Sequence, residues 1–118
     1  MHELAIADSI VEIAKAHARG RPVRSVSVAT GALRQVVPGA LAFSFALLTQ
    51  GTPLEGAALE LRTVAATVRC RACGVMSEQD GFPLACRACD GVDVVVTAGD
   101  ELLVEELEVE EAEVSYVG

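Results

Sequence analysis

The chain has 118 residues, 52% of them apolar but only 3% aromatic and none tryptophan. A core must therefore be assembled from Val, Leu, Ile and Ala, in one compact unit with at most a small appendage. The net charge of −8 and pI of about 4.6 exclude the basic footprint with which a nucleic-acid binder displaces counterions, and suit a basic partner, a cation cargo or plain solubility.

Leu4, Ala7, Val11, Ala14 and Ala18 recur at helical spacing, widened by Ile6, Ile10 and Ile13, and predict an amphipathic helix from Leu4 to about Arg19. Asp8, Glu12, Lys15 and Arg19 form its polar stripe, and Gly20 and Pro22 supply the stop. From Val23 to Thr30, Val26 and Val28 alternate with Ser25 and Ser27, which predicts a half-buried strand. After Gly31 and a loop through Arg34, Pro38 opens a second helix, PGALAFSFALLTQ. It should bury Leu41, Phe45 and Leu48 and stop at Gly51 and Pro53. Ala57 to about Val68 is expected as one strand, with Leu59 and Leu61 opposite Glu60 and Arg62. Val92 to Thr97 reads as a short strand. Glu101 to about Glu110 reads as a closing one, with Leu103, Glu105, Leu107 and Val109 on one face. Residues beyond Glu110 are expected to fray.

This order predicts an α+β fold with two helices on a small antiparallel sheet. Residues 1–68 plus 98–118 would form that discontinuous domain, and residues 69–97 an inserted zinc ribbon. The C-terminal strand would return to complete the sheet.

The longest apolar stretch, around AFSFALLT, is far shorter than the roughly 20 residues of a membrane span. No basic region followed by an apolar run opens the chain. A cytoplasmic setting follows, in which cysteines stay reduced and favour metal binding over disulfides. Cys70 and Cys73 are separated by two residues, as are Cys86 and Cys89, and twelve residues separate the pairs. Two such knuckles can place four thiolates at the corners of a tetrahedron, which suits closed structural zinc. An iron S4 site and a dithiol redox pair are the alternatives. Arg69, Arg71 and Arg87 beside the thiolates would offset the site's negative charge.

The chain opens MHEL. Ni(II) accepts a square-planar, nitrogen-rich shell. The Met1 α-amine, the His2 amide, the His2 imidazole and the Glu3 amide or carboxylate could supply it. A terminal histidine is more often simply a solvated side chain, and the positive end of a helix disfavours a cation. Glu3 and Asp8 would offset that. His17, near the end of the first helix, reads as a capping or half-buried residue and not as a ligand.

Taken together, MHELAIADSIVEIAKAHA, VATGALRQVVPGALAFSF, the two cysteine pairs and GDELLVEELEVEE occur in this order. In that combination the chain resembles the HypA/HybF family of hydrogenase maturation nickel metallochaperones over nearly its whole length. The resemblance implies a nickel-binding α+β domain with an inserted zinc domain, and a carrier in place of an enzyme. It implies Ni(II) as transient cargo, with His2 as the essential ligand beside Glu3 and Met1. Structural Zn(II) would be held by Cys70, Cys73, Cys86 and Cys89. The implied partners are a HypB-type GTPase, the large subunit of [NiFe]-hydrogenase and, in some organisms, the urease maturation system. No nucleic-acid or membrane partner is expected, and the chain should be a monomer or weak homodimer. Two departures stand out: Asp90 intervenes before Gly91, and Ala29-Thr30 replace bulkier aliphatic residues. The alternative reading is a zinc-ribbon adaptor that binds nucleic acid or a protein partner. A terminal chelate is exposed and easily dismantled, and His2 protonation should weaken it as pH falls toward the unperturbed imidazole value of about 6.5.

Overall fold

The computed structural model describes residues 2–110. They form helix α1 (Glu3–Ala18), strand β1 (Val23–Gly31), a 3-10 turn (Ala32–Arg34) and helix α2 (Pro38–Leu48). Strands β2 (Ala58–Val64), β3 (Ala66–Cys70), β4 (Met76–Gln79), β5 (Val94–Ala98) and β6 (Leu102–Val109) follow. The strands make two three-stranded sheets, β2-β1-β6 and β4-β3-β5. Among the described residues, one compact unit comprises 2–28, 36–61 and 104–110, and the other 29–35 and 62–103. The class is the α+β one that the periodicities predict.

In the first unit α1 and α2 pack on one another. The small residues Ala7, Ala14 and Ala18 let a neighbour approach α1 closely and are all fully buried, with Ile6, Ile10 and Val11 beside them. Val23, Val26 and Val28 of β1, Leu41 and Phe45 of α2, and Leu54 complete this core. Each large aliphatic side chain buried there contributes roughly 1.5–3 kcal/mol. Leu4 and Ile13, expected on the buried face, are exposed. Ile13 lies at the margin of the alanine stripe and Leu4 in the first turn of the helix. The helix ends where Arg19 and Gly20 both turn left-handed, with the Arg19 amide donating to the Lys15 carbonyl at 3.2 Å. The Arg21 guanidinium then donates to the carbonyls of Ala18 and His17, at 2.8 and 3.1 Å.

β6 pairs with β1. Ser25 meets Glu108, Arg24 meets Glu110, and the Glu110 amide donates to the Pro22 carbonyl, so the two strands run antiparallel. The expected face of β6 is only half right. Leu102 and Val104 are half-buried, Leu103 is exposed, and the pattern then changes phase so that Leu107 and Val109 are half-buried. Two successive exposed residues, Glu105 and Glu106, carry the change.

The second unit corrects the strand expected over 57–68. It is two strands in different sheets, broken at Ala65. Leu59 and Leu61 turn inward at odd positions, whereas Ala66, Val68 and Cys70 are buried at even ones. The inward side already changes phase within β2, where Arg62 and Thr63 are both exposed and Val64 is half-buried, so the break at Ala65 marks the change of sheet and not a change of period. β3 pairs antiparallel with β4 (Val68 opposite Ser77) and with β5 (Cys70 opposite Val94). β4, the segment MSEQ, carries no alternation strong enough to be read from sequence.

Candidate metal centres

The hairpins of the second unit bring the two cysteine pairs together. Each knuckle is the same turn. The Gly74 amide donates to the Cys70 carbonyl and the Cys70 amide to the Val75 carbonyl. The Asp90 amide donates to the Cys86 carbonyl and the Cys86 amide to the Gly91 carbonyl. The fifth residue of each turn is left-handed: Gly74 at φ 79° and Asp90 at φ 63°. Asp90 therefore does the work of a glycine, at a backbone cost that a short polar side chain bears better than most.

The four ligand sulfurs lie within 4.8 Å of one another. Cys70 and Cys89 are 3.7 Å apart and Cys73 and Cys86 3.6 Å. A tetrahedron with metal–sulfur bonds of about 2.3 Å has edges of about 3.8 Å, so the set fits zinc as it stands. A disulfide would need about 2.05 Å, and all four cysteines are free. Cys70 and Cys86 are buried; Cys73 and Cys89 are exposed.

The hydrogen bonds that the sulfurs receive come from the main chain. The Cys73 amide approaches the Cys70 sulfur at 3.4 Å and the Ala88 amide the Cys86 sulfur at 3.3 Å. The Cys73 amide, opposed by burial, draws the Cys70 thiol down to about 7. The Cys89 and Ala88 amides lower Cys86. At Cys89 the Gly91 amide pulls downward, but the Cys70 and Cys86 thiols outweigh it and push the group up to about 12. At Cys73 the Val75 amide is likewise outweighed by the Cys86 thiol and by burial, and the thiol is raised. A β-carbon on Gly91 would stand 3.2 Å from the Cys89 sulfur.

Arg71 and Arg87 do not turn to the sulfurs. Arg71 pairs with Asp93 at 3.4 Å, and Arg87 donates to the Glu78 carbonyl and to Asp80. The residue that sequence reasoning missed is Gln79, which is buried. Its amide oxygen accepts from the Ala85 amide at 3.2 Å and its nitrogen donates to the Ala85 carbonyl at 2.8 Å. Gln79 thus imitates a strand neighbour and ties β4 to the residue preceding Cys86. Only the presence of an amide in an otherwise unremarkable tetrapeptide could have signalled it.

Two further stretches, GALR and GDEL, meet in this unit. The Leu33 amide donates to the Gly99 carbonyl at 2.7 Å and the Gly31 amide to the Glu101 carbonyl at 2.8 Å. The Arg34 guanidinium donates to the carbonyls of Asp100 and Glu101. A β-carbon at Gly31 would collide with the Gly99 carbonyl, which accounts for glycine at that strand end.

The N-terminal residues belong to the first unit. Met1 lies outside the described residues. His2 is exposed and left-handed at φ 59°, it precedes the first turn of α1, and its side chain makes no capping bond. Glu3 is half-buried, and its carboxylate accepts from the Val37 amide at 2.9 Å, tying the head of α1 to the residue before α2. The hydrogen bond to the chain's terminal ammonium group, and after it the Val37 amide, hold this carboxyl down to about 2. No third metal-ligating side chain joins His2 and Glu3 among the described residues. His17 is exposed, and its Nδ1 bonds the Ile13 carbonyl at 2.9 Å, in keeping with a capping role.

Helices, sheets and cysteine centre define a class: a small α+β protein carrying a four-cysteine ribbon. Over residues 1–109 the chain matches the family described as hydrogenase/urease nickel incorporation, metallochaperone, hypA. It is 44% identical over 110 residues to the hydrogenase maturation factor HypA of Geotalea uraniireducens, covering 93% of this chain and 100% of the relative. Identity to the HypA of Nostoc sp. is 38% over 111 residues, covering 94% and 97%. The solution structure of the Ni metallochaperone HypA from Helicobacter pylori has the same fold, with a TM-score of 0.68 at 19% identity, covering 92% of this chain and 97% of that one. The chain belongs to the HypA family of nickel-incorporation metallochaperones.

Proposed function

We propose that this chain carries one Ni(II) as cargo at Met1-His2-Glu3 and surrenders it during maturation of [NiFe]-hydrogenase, while the ribbon keeps a structural zinc. The observation that carries the reading is the head of α1. The His2 side chain is exposed and makes no capping bond, while Glu3 is anchored to Val37. With one imidazole and one partly committed carboxylate within reach, the remaining donors are main-chain nitrogens: the Met1 amine and the His2 and Glu3 amides. The first intrahelical bond runs from the Ile6 amide to the His2 carbonyl. Such a shell suits a d8 ion that prefers square-planar nitrogen, and it opens when the nitrogens take up protons.

The nickel-delivery partners are a HypB-type GTPase and the hydrogenase large subunit, with the urease maturation proteins as a second destination. The setting is the cytoplasm, and the chain works as a carrier, not an enzyme. Among the described residues the unit of 2–28, 36–61 and 104–110 handles the nickel, and the unit of 29–35 and 62–103, wider than the segment 69–97 expected from sequence, carries the ribbon.

The test is metal analysis of untagged protein. The wild type should hold about one Ni(II) in addition to zinc. His2→Ala should lose the nickel and keep the zinc, and so should protein with an N-terminal extension. Nickel retained by His2→Ala would place the cargo elsewhere.

A further inference from the structure

The Glu3 side chain is held from far along the chain. Its carboxylate accepts from the Val37 amide at 2.9 Å, 34 residues away. The chain's terminal ammonium group and Glu3's own amide also donate to it. Two of these three donors, the terminal amine and the Glu3 amide, belong to the nitrogen shell proposed above for nickel. The third belongs to the extended residue that precedes α2, at φ −91° and ψ 111°. His2 is left-handed at φ 59° and makes no side-chain capping bond, a backbone state that a residue other than glycine keeps only where its surroundings impose it. The Ile6 amide, bonded to the His2 carbonyl at 3.0 Å, holds one side of that turn, and the Glu3 carboxylate holds the other. A carboxylate that accepts from three N–H groups has most of its lone pairs occupied.

We propose that the Glu3 carboxylate stays outside the nickel shell and is the positioning group of the terminal site, with the Val37 main chain as its anchor. The inference rests on the nickel site proposed above and specifies how that site is held. A chain end left to itself frays, and each group that must be ordered at the moment of binding weakens the complex. The anchor orders the head of α1 beforehand, through a bond strengthened by the charge of its acceptor. The Val37 side chain is 57% exposed, so only its amide serves. Val37 stands at the head of α2, which packs on α1. Nickel retention thereby becomes a property of the helix pair, and a change at residue 37 loosens the ion without touching a ligand.

Nickel competition against a chromophoric chelator, on the untagged and zinc-loaded full chain, tests this. Val37→Pro deletes the amide hydrogen and suits the extended backbone before Pro38, whereas Val37→Ala keeps that hydrogen. Val37→Pro should bind Ni(II) about tenfold more weakly than Val37→Ala, with zinc content and helical circular dichroism unchanged. Glu3→Ala should lose affinity to a similar extent. Glu3→Gln, whose side-chain oxygen can still accept from Val37, should recover part of the loss. In the wild type the Val37 amide should exchange with solvent no faster once nickel is bound. Equal affinity in the two Val37 variants overturns the proposal, and so does a Glu3→Gln variant as weak as Glu3→Ala. Faster exchange at Val37 on loading also overturns it, because the carboxylate would then have moved onto the ion. If Val37→Pro does not fold, the two Glu3 variants and the exchange rate decide. Nickel kept by His2→Ala overturns the terminal site itself; nickel lost by His2→Ala, with the Val37 variants equal, overturns only the anchor.

Discussion

Thr30 sits in β1 with 5% of its surface exposed, and among the described residues its hydroxyl is the buried side-chain oxygen without a hydrogen-bond partner. The sequence marks Ala29-Thr30 as a departure, and the structure gives the departure a physical cost. An unsatisfied buried hydroxyl costs about 1–3 kcal/mol, whereas a methyl group of the same shape fits without that penalty. Thr30→Val should therefore stabilise the zinc-loaded protein by about 1 kcal/mol, seen as a higher urea midpoint at unchanged m-value. A lower midpoint would mean that the hydroxyl has a partner after all. Glu3 offers a second prediction. The hydrogen bond to the chain's terminal ammonium group, and after it the Val37 amide, hold its carboxyl down to about 2. A depressed carboxyl stabilises the fold fully above its unfolded pKa, and that contribution fades as pH falls through the folded one. Wild type and Glu3→Gln should thus differ in stability by a constant amount above about pH 5, and converge between about pH 4.5 and 2. Parallel curves down to pH 2 would show that Glu3 is not held in this way. At the ribbon, Asp90 shows what one residue type alone leaves open: its left-handed turn matches that of Gly74, and nothing in an aspartate announces this.

Elements were legible wherever one period ran unbroken. The α1 stripe, apart from Leu4 and Ile13, and the Val26/Val28 alternation of β1 appear where the spacing puts them. Failures occurred where the period changed. In β2 the inward positions pass from odd to even across the exposed pair Arg62-Thr63, and in β6 the phase shifts at Glu105-Glu106. Each change lies within a single strand, so the alternation alone cannot place it, and only the packed neighbours fix which side is covered. β4 was invisible because four residues carry too little pattern, and its role comes from Gln79 reaching Ala85. Gln79→Ala should remove three side-chain hydrogen bonds, two to Ala85 and one to the Ser77 hydroxyl, and leave the Ala85 main chain without that partner, at a cost of about 1–3 kcal/mol. The expected measurement is a zinc affinity about tenfold lower or worse in competition with a chromophoric chelator, while α1 and α2 keep their circular dichroism. Unchanged zinc affinity would make Gln79 a spectator.

The whole molecule divides into two compact units that hold together by different means. The first has an aliphatic core of α1, α2 and β1. The second buries only small side chains and few of them, Ala29, Thr30, Ala66, Val68, Cys70, Cys86 and Gln79, and so depends on its metal. Zinc removal by a strong chelator should leave the helical signal largely intact and speed amide exchange over residues 66–98 by orders of magnitude. Simultaneous loss of helix would show one cooperative unit. Zinc return near neutral pH should release at least about two protons per ion, because Cys73 and Cys89 are both raised in the metal-free ribbon and must ionise to bind. The zinc affinity should fall accordingly as pH falls. Calorimetry in buffers of differing ionisation enthalpy counts those protons.

Residue order alone determined the α+β class, the two knuckles and the nickel-carrier resemblance, because short-range periods and two-residue cysteine gaps act through local geometry. Tertiary structure alone decided where a strand must break, that GALR bonds GDEL, that Gln79 supports the second knuckle, and that Glu3 reaches Val37. Each of these depends on which distant backbone arrives at a given residue, and that is a property of the packed chain and not of any stretch of it.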